Sequence, residues 1–286
     1  MIPANSTTGP GCKSGEENGF FGILGQTLLM KVYRLILFVL FSISLGVAHG
    51  QNNRFSRQRF VSEKGDTLLY RMLGPDYDTV RRFPLVVFLH GSGERGNDNE
   101  SQLQWGVGAF ASDENMSNFP AYVIAPQCPT GQGWGSFTGY GDPQAIRLAP
   151  QPSRPMELVI ALVKRLCATT NIDTNRIYIT GLSMGGIGTF DALQRYPNLF
   201  AAGVPVCGAG DLAGASVFKS VPLWIYHGAE DPAVKPEYSI EMLRALNKAG
   251  ARPGFTMLPE VGHFSWIAAF NDRMMLQWMF RQRRKG

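Results

Sequence analysis

Short apolar segments and longer segments with helical periodicity alternate along most of this chain. The short segments contain four or five residues, nearly all of them apolar and many of them β-branched. Such continuous apolar runs are typical of strands in a parallel sheet that is covered on both faces. They lie at residues 85–89, 122–125, 177–180, 202–206, 223–226 and 255–258. The pattern therefore predicts six strands of a buried, mainly parallel sheet.

The segments between these runs carry apolar residues at helical spacing. The clearest begins near Pro155, and its apolar positions form one stripe that we expect to pack on the sheet. Those positions are Met156, Val159, Ile160, Val163, Leu166 and Cys167. Ahead of the first buried strand, residues 60–63 and 67–72 flank Gly65 and Asp66, which predicts an opening hairpin. Strands that alternate with helices predict a three-layer α/β fold, with a mostly parallel central sheet and helices on both faces.

The first fifty residues differ from the rest of the chain. Residues 30–34 form a short basic start, and the apolar run at 35–47 is shorter than the about twenty residues that a membrane helix needs. Small residues at 47–50 then precede Gln51, as they do at a signal-peptide cleavage site. Residues 1–29 fit no such scheme.

We interpret residues 1–50 as a leader. Its first part reflects a start codon that is assigned too far upstream, and residues 30–50 are a signal peptide. Secretion, or export to a periplasm, is therefore expected for residues 51–286, with no membrane span once the leader is removed. An uncleaved anchor is the alternative. Residues 51–286 suit a single α/β domain with a basic C-terminal tail.

The charge balance of the chain argues against binding to nucleic acid. It has 27 basic and 22 acidic residues and a formal net charge of +5. Much of the excess lies in the C-terminal tail, at Arg281, Arg283, Arg284 and Lys285, so the body is near neutral. No basic stripe with interleaved aromatic residues appears elsewhere, and we expect no nucleic-acid partner. The sequence does not indicate the oligomeric state.

Residues 181–186 (GLSMGG) carry the strongest chemical signal. They follow the β-branched and aromatic segment 175–180 and lead into a predicted helix from Met184 to Tyr196. A G-x-S-x-G sequence between a strand and a helix is typical of a nucleophile elbow, where glycines leave room for a strained turn. We therefore predict that Ser183 is a nucleophile. The alternative is an ordinary structural turn.

A nucleophile elbow needs an acid and then a histidine later in the chain. Of the four histidines, two follow Ser183. His227 ends the apolar strand at 223–226, where a histidine is more often a packed structural residue. His263 lies in a loop between a predicted strand and a C-terminal helix. Folds with a nucleophile elbow present their catalytic base in this loop, so we predict that His263 is the base.

The acid is expected in the loop directly after the strand at 223–226. Asp231 and Glu230 both lie there, and either carboxylate could reach an imidazole. We choose Asp231, because Pro232 restricts the backbone after it and Asp is the commoner triad acid. Three other acids lie on predicted helices and are expected to be surface charges: Asp191, Glu237 and Glu241.

An attacked carbonyl also needs two fixed N–H donors for its developing negative charge. The amide of Met184, the residue after the nucleophile, is the first candidate. The apolar strand at 84–89 runs into residues 90–96 (HGSGERG), whose glycines let the backbone approach a substrate closely. We predict the Ser92 amide as the second donor. The alternative is that His90 and these glycines only form a tight turn.

Taken together, these motifs resemble those of an α/β-hydrolase esterase group that includes polyhydroxybutyrate depolymerase-like, feruloyl esterase-like and dienelactone hydrolase-like enzymes. The resemblance covers about residues 60–280. It rests on HGSGERG at 90–96, APQCP at 125–129, NID at 171–173, GLSMGG at 181–186, HGAED at 227–231 and VGH at 261–263. It implies an α/β-hydrolase fold and ester hydrolysis without a cofactor. It leaves the ester open, small or polymer-borne, because these families share a core and differ in their loops.

Two tryptophans are candidates for the walls of a substrate cleft. Residues 131–140 form a loop rich in glycine and aromatics, which either covers the edge of the core or faces the substrate. Trp134 in this loop and Trp266 after His263 are the largest apolar side chains expected near the site. We predict that they border the cleft.

The cysteines indicate little chemistry of their own. Cys167 is expected to be a small apolar filler on a helix. Cys128 and Cys207 each follow a strand, so a disulfide between them is an open alternative in an oxidising compartment. The spacing of cysteines and histidines does not match a zinc site, and we expect no metal.

Three functions follow from these observations. The leading one is a secreted serine carboxylesterase that acts through an acyl-enzyme intermediate. The second is a serine peptidase of the prolyl oligopeptidase-like group. The third, of another class, is a catalytically silent α/β-hydrolase that binds a ligand or partner.

Overall fold

The computed structural model describes residues 52–75, 78 and 80–284 of the chain. The predicted leader at 1–50, with its signal peptide at 30–50, lies outside these residues and stays a prediction. Within the described part, we find no helix that combines the length and the apolar character needed to cross a membrane.

Eight strands in the described part of the chain form a central sheet, and two short ones form a separate ribbon. In chain order they are β1 (Ser56–Val61), β2 (Thr67–Leu73), β3 (Phe83–Leu89), β4 (Tyr122–Pro126), β5 (Phe137–Thr138), β6 (Arg147–Leu148), β7 (Ile172–Leu182), β8 (Ala202–Val206), β9 (Trp224–Gly228) and β10 (Gly254–Leu258). The central sheet has the spatial order β1-β2-β4-β3-β7-β8-β9-β10, and β5 pairs with β6.

The sheet is antiparallel at one side and parallel through the rest. β1 pairs with β2 and β2 with β4 in antiparallel fashion, which is the predicted opening hairpin joined to the sheet. All pairs from β4 through β3, β7, β8 and β9 to β10 are parallel. The six predicted apolar strands form this parallel part; the five inner ones are mostly buried, whereas β10, at the edge of the sheet, is only partly buried.

Six α-helices in the described part connect or follow the strands. They are α1 (Asp113–Asn118), α2 (Arg154–Thr169), α3 (Met184–Arg195), α4 (Glu237–Lys248), α5 (Trp266–Asn271) and α6 (Arg273–Arg281). The start of α2 shows why the sequence becomes helical there. The Ser153 hydroxyl accepts a hydrogen bond from the Met156 amide, and Pro155 occupies the first turn, where its missing N–H costs nothing.

Alternate residues of β3 pack against different layers. Leu85, Val87 and Leu89 lie in a core cluster with buried side chains of α2, α3 and α4. Val86 and Phe88 lie in a second cluster with those of α5 and α6. This alternation follows from the two-residue repeat of a strand. The prediction of a three-layer α/β fold with helices on both faces is confirmed.

The buried acid Asp191 on α3 corrects one prediction, because its side chain is fully buried rather than a surface charge. Its carboxylate accepts hydrogen bonds from the Arg195 guanidinium, at 2.9 Å, and from the Ser136 amide, also at 2.9 Å. Arg195 in turn donates to the carbonyl of Ala149 at 2.8 Å. The ion pair and these hydrogen bonds link the β5–β6 ribbon and its flanking loops to α3.

The parallel strands all end at one edge of the sheet, and this edge positions the candidate site. The loops after β3, β7, β8, β9 and β10 begin there, at residues 90, 183, 207, 229 and 259. Open α/β sheets place their ligand sites outside the carboxyl ends of their strands. Residues that are far apart in the sequence therefore meet at this edge.

Candidate active site

The predicted nucleophile Ser183 lies in a strained turn between β7 and α3. Its backbone has φ 53° and ψ −115°, outside the regions that non-glycine residues favour. Two hydrogen bonds hold this conformation: the Ser183 amide donates to the carbonyl of Val206, and the Ile187 amide donates to the carbonyl of Ser183, each at 3.0 Å. The turn therefore presents the Ser183 side chain at the carboxyl edge of the sheet, as a nucleophile elbow does.

The glycines on either side of Ser183 are required by close backbone contacts. A β-carbon at Gly185 would lie 1.9 Å from the carbonyl oxygen of Leu89, and one at Gly181 would lie 2.5 Å from the same atom. A side chain at Gly185 would therefore push α3 away from β3, and one at Gly181, on β7, would also meet the carbonyl oxygen of Gly185 at 2.6 Å. This contact explains in physical terms why the sequence repeats glycine around the serine.

Ser183, His263 and Asp231 are brought together by the fold. The Nε2 atom of His263 lies 2.9 Å from the Ser183 hydroxyl oxygen, and its Nδ1 atom lies 2.7 Å from Asp231 Oδ2. The carboxylate can only accept, so Nδ1 carries the proton and Nε2 is free to accept from the serine hydroxyl. The His263 side chain is 21% exposed, so solvent can reach part of its ring.

Asp231 is oriented by its own loop. Its second oxygen, Oδ1, accepts hydrogen bonds from the amides of Ala233 and Val234, each at 2.9 Å. The carboxylate is buried with its other oxygen directed at His263. The rival acid, Glu230, is exposed and makes no side-chain hydrogen bond to His263 among the described contacts.

His227 is buried, and both of its ring nitrogens are occupied. Nε2 lies 2.8 Å from the carbonyl of Val234 and 3.4 Å from Asp231 Oδ2, and Nδ1 lies 2.7 Å from the Ser239 hydroxyl. Burial lowers the pKa of His227, so the ring is neutral at pH 7 and donates from Nε2. His227 thus braces the loop that carries Asp231.

The two predicted oxyanion donors lie at the starts of helical turns. Met184 is the first residue of α3, directly after Ser183, and Ser92 is the first residue of a short 3-10 helix, Ser92–Glu94. Ser92 is exposed and follows Gly91, which has an extended backbone. Their role as donors to an oxyanion stays a prediction.

His90 anchors the loop that carries Ser92. Its Nε2 accepts a hydrogen bond from the Cys128 amide at 2.9 Å, so Nδ1 carries the proton and donates to the Gly91 carbonyl at 2.6 Å. Burial lowers the pKa of His90 to about 4. The neutral ring therefore ties the end of β3 to the end of β4.

The prediction for Trp134 as a cleft wall is wrong. Its side chain is completely buried, and its indole Nε1 donates a hydrogen bond to the backbone carbonyl of His90 at 3.0 Å. The ring also packs edge-on against the His90 ring, with centroids 5.1 Å apart. The loop at 131–140 thus covers the edge of the core, because an indole with an inward N–H partner is more stable there than in water.

Trp266 lies at the site but is only 5% exposed, so it supports the site more than it lines it. Its ring packs edge-on against His263, with centroids 5.1 Å apart. The exposed aromatic surface beside it belongs to Phe264, whose centroid lies 4.8 Å from that of Trp266. The sequence-based choice by size favoured Trp266 over its neighbour Phe264, because side-chain direction in a loop leaves no periodic signal.

Cys128 and Cys207 do not form the disulfide that the sequence left open, since both are free and buried. Cys207 lies instead next to Asp231 and His263, with its sulfur within 4.8 Å of their potential ligand atoms. Burial raises the pKa of its thiol to about 12, so the thiol is protonated at neutral pH. Sequence reasoning missed this placement, because the only signal was a cysteine after a strand.

The fold of this chain is similar to that of a solved esterase structure. The structure of a thermostable esterase matches with a TM-score of 0.74 and 36% sequence identity, over 81% of this chain and 64% of that chain. The chain has the α/β-hydrolase fold. The expected resemblance of the chain to the esterase group is confirmed.

Curated proteins that this chain resembles include two esterases of polymers. A bifunctional acetylxylan esterase/xylanase from Neocallimastix patriciarum is 27% identical over 149 residues, which cover 52% of this chain and 19% of that protein. A poly(3-hydroxyalkanoate) depolymerase C from Paucimonas lemoignei is 29% identical over 125 residues, which cover 44% of this chain and 28% of that protein. The chain thus spans less than a third of the length of either relative. A model of the prolyl oligopeptidase family matches residues 152–223.

Proposed function

We propose that this α/β-hydrolase is a serine hydrolase that cleaves carboxylic esters through an acyl-enzyme intermediate on Ser183. The observation that carries the proposal is a continuous hydrogen-bond chain. It runs from the Ser183 hydroxyl to His263 Nε2 at 2.9 Å, and from His263 Nδ1 to Asp231 at 2.7 Å. A weak nucleophile, a base and an orienting carboxylate arranged in this way have the geometry for acyl transfer.

In the proposed acylation step, the Ser183 oxygen attacks the ester carbonyl while His263 Nε2 takes the hydroxyl proton. The imidazolium that forms is stabilised by Asp231, which also keeps the ring in the tautomer needed for attack. The oxyanion accepts hydrogen bonds from the Met184 and Ser92 amides. His263 then returns the proton to the leaving alcohol oxygen, and the acyl group remains on Ser183.

In the deacylation step, water takes the place of the alcohol. His263 Nε2 accepts a proton from the water as it attacks the acyl-enzyme, and gives it to the Ser183 oxygen when the acid leaves. No cofactor enters either step. His227 and His90 stay neutral and hold the acid loop and the Ser92 loop in place.

The substrate class follows from the relatives and from the exposure of the site. The relatives are named as esterases or depolymerases of polymer substrates, and the His263 side chain is 21% exposed. We propose that this chain accepts accessible esters, either small molecules or groups borne on a polymer.

Covalent labelling with an alkyl fluorophosphonate tests the proposal directly, with mass spectrometry of the modified peptide as the readout. Wild-type protein should carry the label on Ser183, and Ser183→Ala should carry none. Ser220→Ala is the matched control: Ser220 is more exposed than Ser183 and should not affect labelling. A folded wild-type protein that takes up no label and hydrolyses no ester would favour a catalytically silent binding protein instead.

Amide cleavage is the second candidate function, and the match to the prolyl oligopeptidase family favours it. The matched residues 152–223 contain Ser183 but neither Asp231 nor His263. Esters and amides share the acylation chemistry and differ in the leaving group. An ester and an amide that carry the same acyl group therefore distinguish an esterase from a peptidase. We expect measurable kcat/KM on the ester and none on the amide; comparable values on both would favour a peptidase.

We also propose that the protein is exported with removal of residues 1–50. The support is the basic start, short apolar run and small residues before Gln51. Expression of the full chain in a bacterium, followed by amino-terminal sequencing of the exported protein, should give Gln51 as the first residue. An exported form that keeps Met30 or earlier residues would favour an uncleaved anchor.

A further inference from the structure

An apolar surface lies beside His263. Phe264 is 56% exposed and Ile267 is 53% exposed, although both side chains are large and apolar. The Ile267 amide donates a hydrogen bond to the Phe264 carbonyl at 3.1 Å, so the two residues lie on one turn. The half-buried Trp105 packs edge-on against Phe264, with ring centroids 6.0 Å apart. We call the surface formed by Trp105, Phe264 and Ile267 the apolar ledge.

The apolar ledge is held in place by the same ring that supports His263. The buried Trp266 packs against His263 at 5.1 Å, against Phe264 at 4.8 Å and against Trp105 at 6.4 Å between centroids. Gly106, next to Trp105, has φ 75°, and a β-carbon there would lie 2.5 Å from the Phe270 ring. Glycine thus lets the Trp105 loop lie directly on the core. The ledge is therefore a built part of the site.

We infer that the apolar ledge binds the alcohol part of the ester and favours alcohols with a flat apolar or aromatic group. This inference rests on the proposed function. His263 Nε2 must give its proton to the leaving alcohol oxygen, so that oxygen comes within hydrogen-bond distance of the ring. The group attached to the oxygen then extends over the residues that adjoin His263, which are those of the ledge.

The chemistry of the ledge selects the ligand class. Its three side chains are aromatic or aliphatic, and none is charged. Covering an exposed aromatic or branched aliphatic side chain with an apolar group removes both surfaces from water, which is favourable. A small alcohol such as ethanol would leave the ledge uncovered and gain none of this stabilisation.

Three esters separate the alcohol side from the acyl side. 2-Phenylethyl acetate and ethyl phenylacetate are isomers that carry the phenyl ring on the alcohol and on the acyl group respectively, and ethyl acetate carries none. Hydrolysis by the purified full-length protein is followed by acid release in a pH-stat. We expect wild-type kcat/KM to be highest for 2-phenylethyl acetate.

The variants are Phe264→Ala, Ile267→Ala and, to keep an apolar side chain, Phe264→Leu. Phe264→Ala should lower kcat/KM for 2-phenylethyl acetate about tenfold, the scale of losing one apolar contact in a binding site. Its kcat/KM for the other two esters should change less than about twofold. Ile267→Ala should act in the same direction, and Phe264→Leu should retain most of the preference. Val80→Ala is the matched control, because Val80 is 89% exposed and precedes β3 at the opposite edge of the sheet.

Each other outcome overturns the inference in a distinguishable way. A larger loss on ethyl phenylacetate would assign the ledge to the acyl group. Equal losses on all three esters would mean that Phe264 acts only through His263. Unchanged selectivity in an active enzyme would remove the ledge from substrate binding and leave the proposed function intact. A wild-type protein without hydrolysis or Ser183 labelling would overturn the proposed function and this inference together.

Discussion

The Trp134 indole donates a hydrogen bond to the backbone carbonyl of His90 over 3.0 Å. His90 immediately precedes Gly91 and Ser92, so this bond reaches the loop that we expect to stabilise the oxyanion. The Ser153 hydroxyl donates to the Trp134 carbonyl at 2.6 Å, which fixes the tryptophan from the other side. A fully buried residue of the 131–140 loop thus connects the start of α2 with the end of β3.

Trp134→Phe should therefore affect both stability and turnover. The phenyl ring retains most of the apolar volume, but the His90 carbonyl loses its donor, at a cost of about 1–3 kcal/mol in the free energy of unfolding. We expect kcat for ester hydrolysis to fall more than KM rises, since the loop positions an oxyanion donor. Urea unfolding and steady-state kinetics measure the two effects. Trp278→Phe is the control, because Trp278 packs on Trp224 at the start of β9; equal kinetic losses in both variants would contradict the role of Trp134.

Ser183→Ala and His263→Ala should each reduce kcat by about a millionfold, because members of a triad act as a unit. Both variants should keep the wild-type melting temperature within a few degrees, since Ser183 is half-buried and His263 partly exposed. Single-turnover and steady-state assays on an activated ester provide the measurement. Near-normal turnover by Ser183→Ala would show that the nucleophile lies elsewhere.

Asp231→Asn should lower kcat by about ten-thousandfold, because an amide favours the wrong imidazole tautomer. Glu230→Gln is the natural control, since this neighbouring carboxylate is exposed. It should change kcat less than about twofold. The comparison uses the same ester at saturating concentration. A reversed order of the two effects would assign the acid to Glu230 and leave the rest of the mechanism unchanged.

Asp191→Ala should destabilise the protein by about 3–5 kcal/mol, because it leaves the largely buried Arg195 guanidinium without its charge partner. Burial raises the pKa of Asp191, whereas Arg195 and the Ser136 amide oppose this shift. Glu237→Ala, at an exposed acid on α4, should cost about 0.5 kcal/mol or less. Urea unfolding at pH 7 provides both values. A small loss for Asp191→Ala would mean that the β5–β6 ribbon does not depend on this ion pair.

His90 should make the protein less stable in mild acid. Its pKa is lowered by burial to about 4 from 6.5. Between these values the unfolded chain binds a proton at this site and the folded chain does not. The free energy of unfolding therefore falls as the pH drops from about 6.5 to about 4, by about 3 kcal/mol in total.

Urea unfolding of wild-type protein and His90→Gln at pH 7 and pH 4.5 tests this expectation. Glutamine can donate and accept hydrogen bonds but does not titrate, so the variant should lose less stability between the two pH values. His227, whose pKa burial also lowers, acts in the same direction in both proteins. Glu94 acts in the opposite direction, because burial raises its carboxyl pKa. Identical losses in the two proteins would show that His90 does not contribute.

Much of the fold, and the order of the candidate site residues along the chain, could be predicted from the sequence. The apolar strands, the stripe on α2 and the hairpin around Gly65 are local patterns, because a strand repeats every two residues and a helix every 3.6. The elbow at Ser183 is equally local, since the glycines that it needs lie within two residues of the serine. Chain order then pointed to Asp231 and His263, and the fold brings both to Ser183.

Only the tertiary structure decided which side chains face the site and which face the core. Trp134 and Asp191 lie on segments whose local pattern allows an exposed position, yet both are buried. Trp134 bonds to His90, which is 44 residues away, and Asp191 bonds both to Arg195 on its own helix and to Ser136, which is 55 residues away. Phe264 is exposed where its neighbour Trp266 is buried. Loops have no fixed repeat, so the direction of each side chain depends on contacts between elements that the sequence separates. For this reason the sequence determined the chemistry of the site, and the packing of distant loops determined its walls.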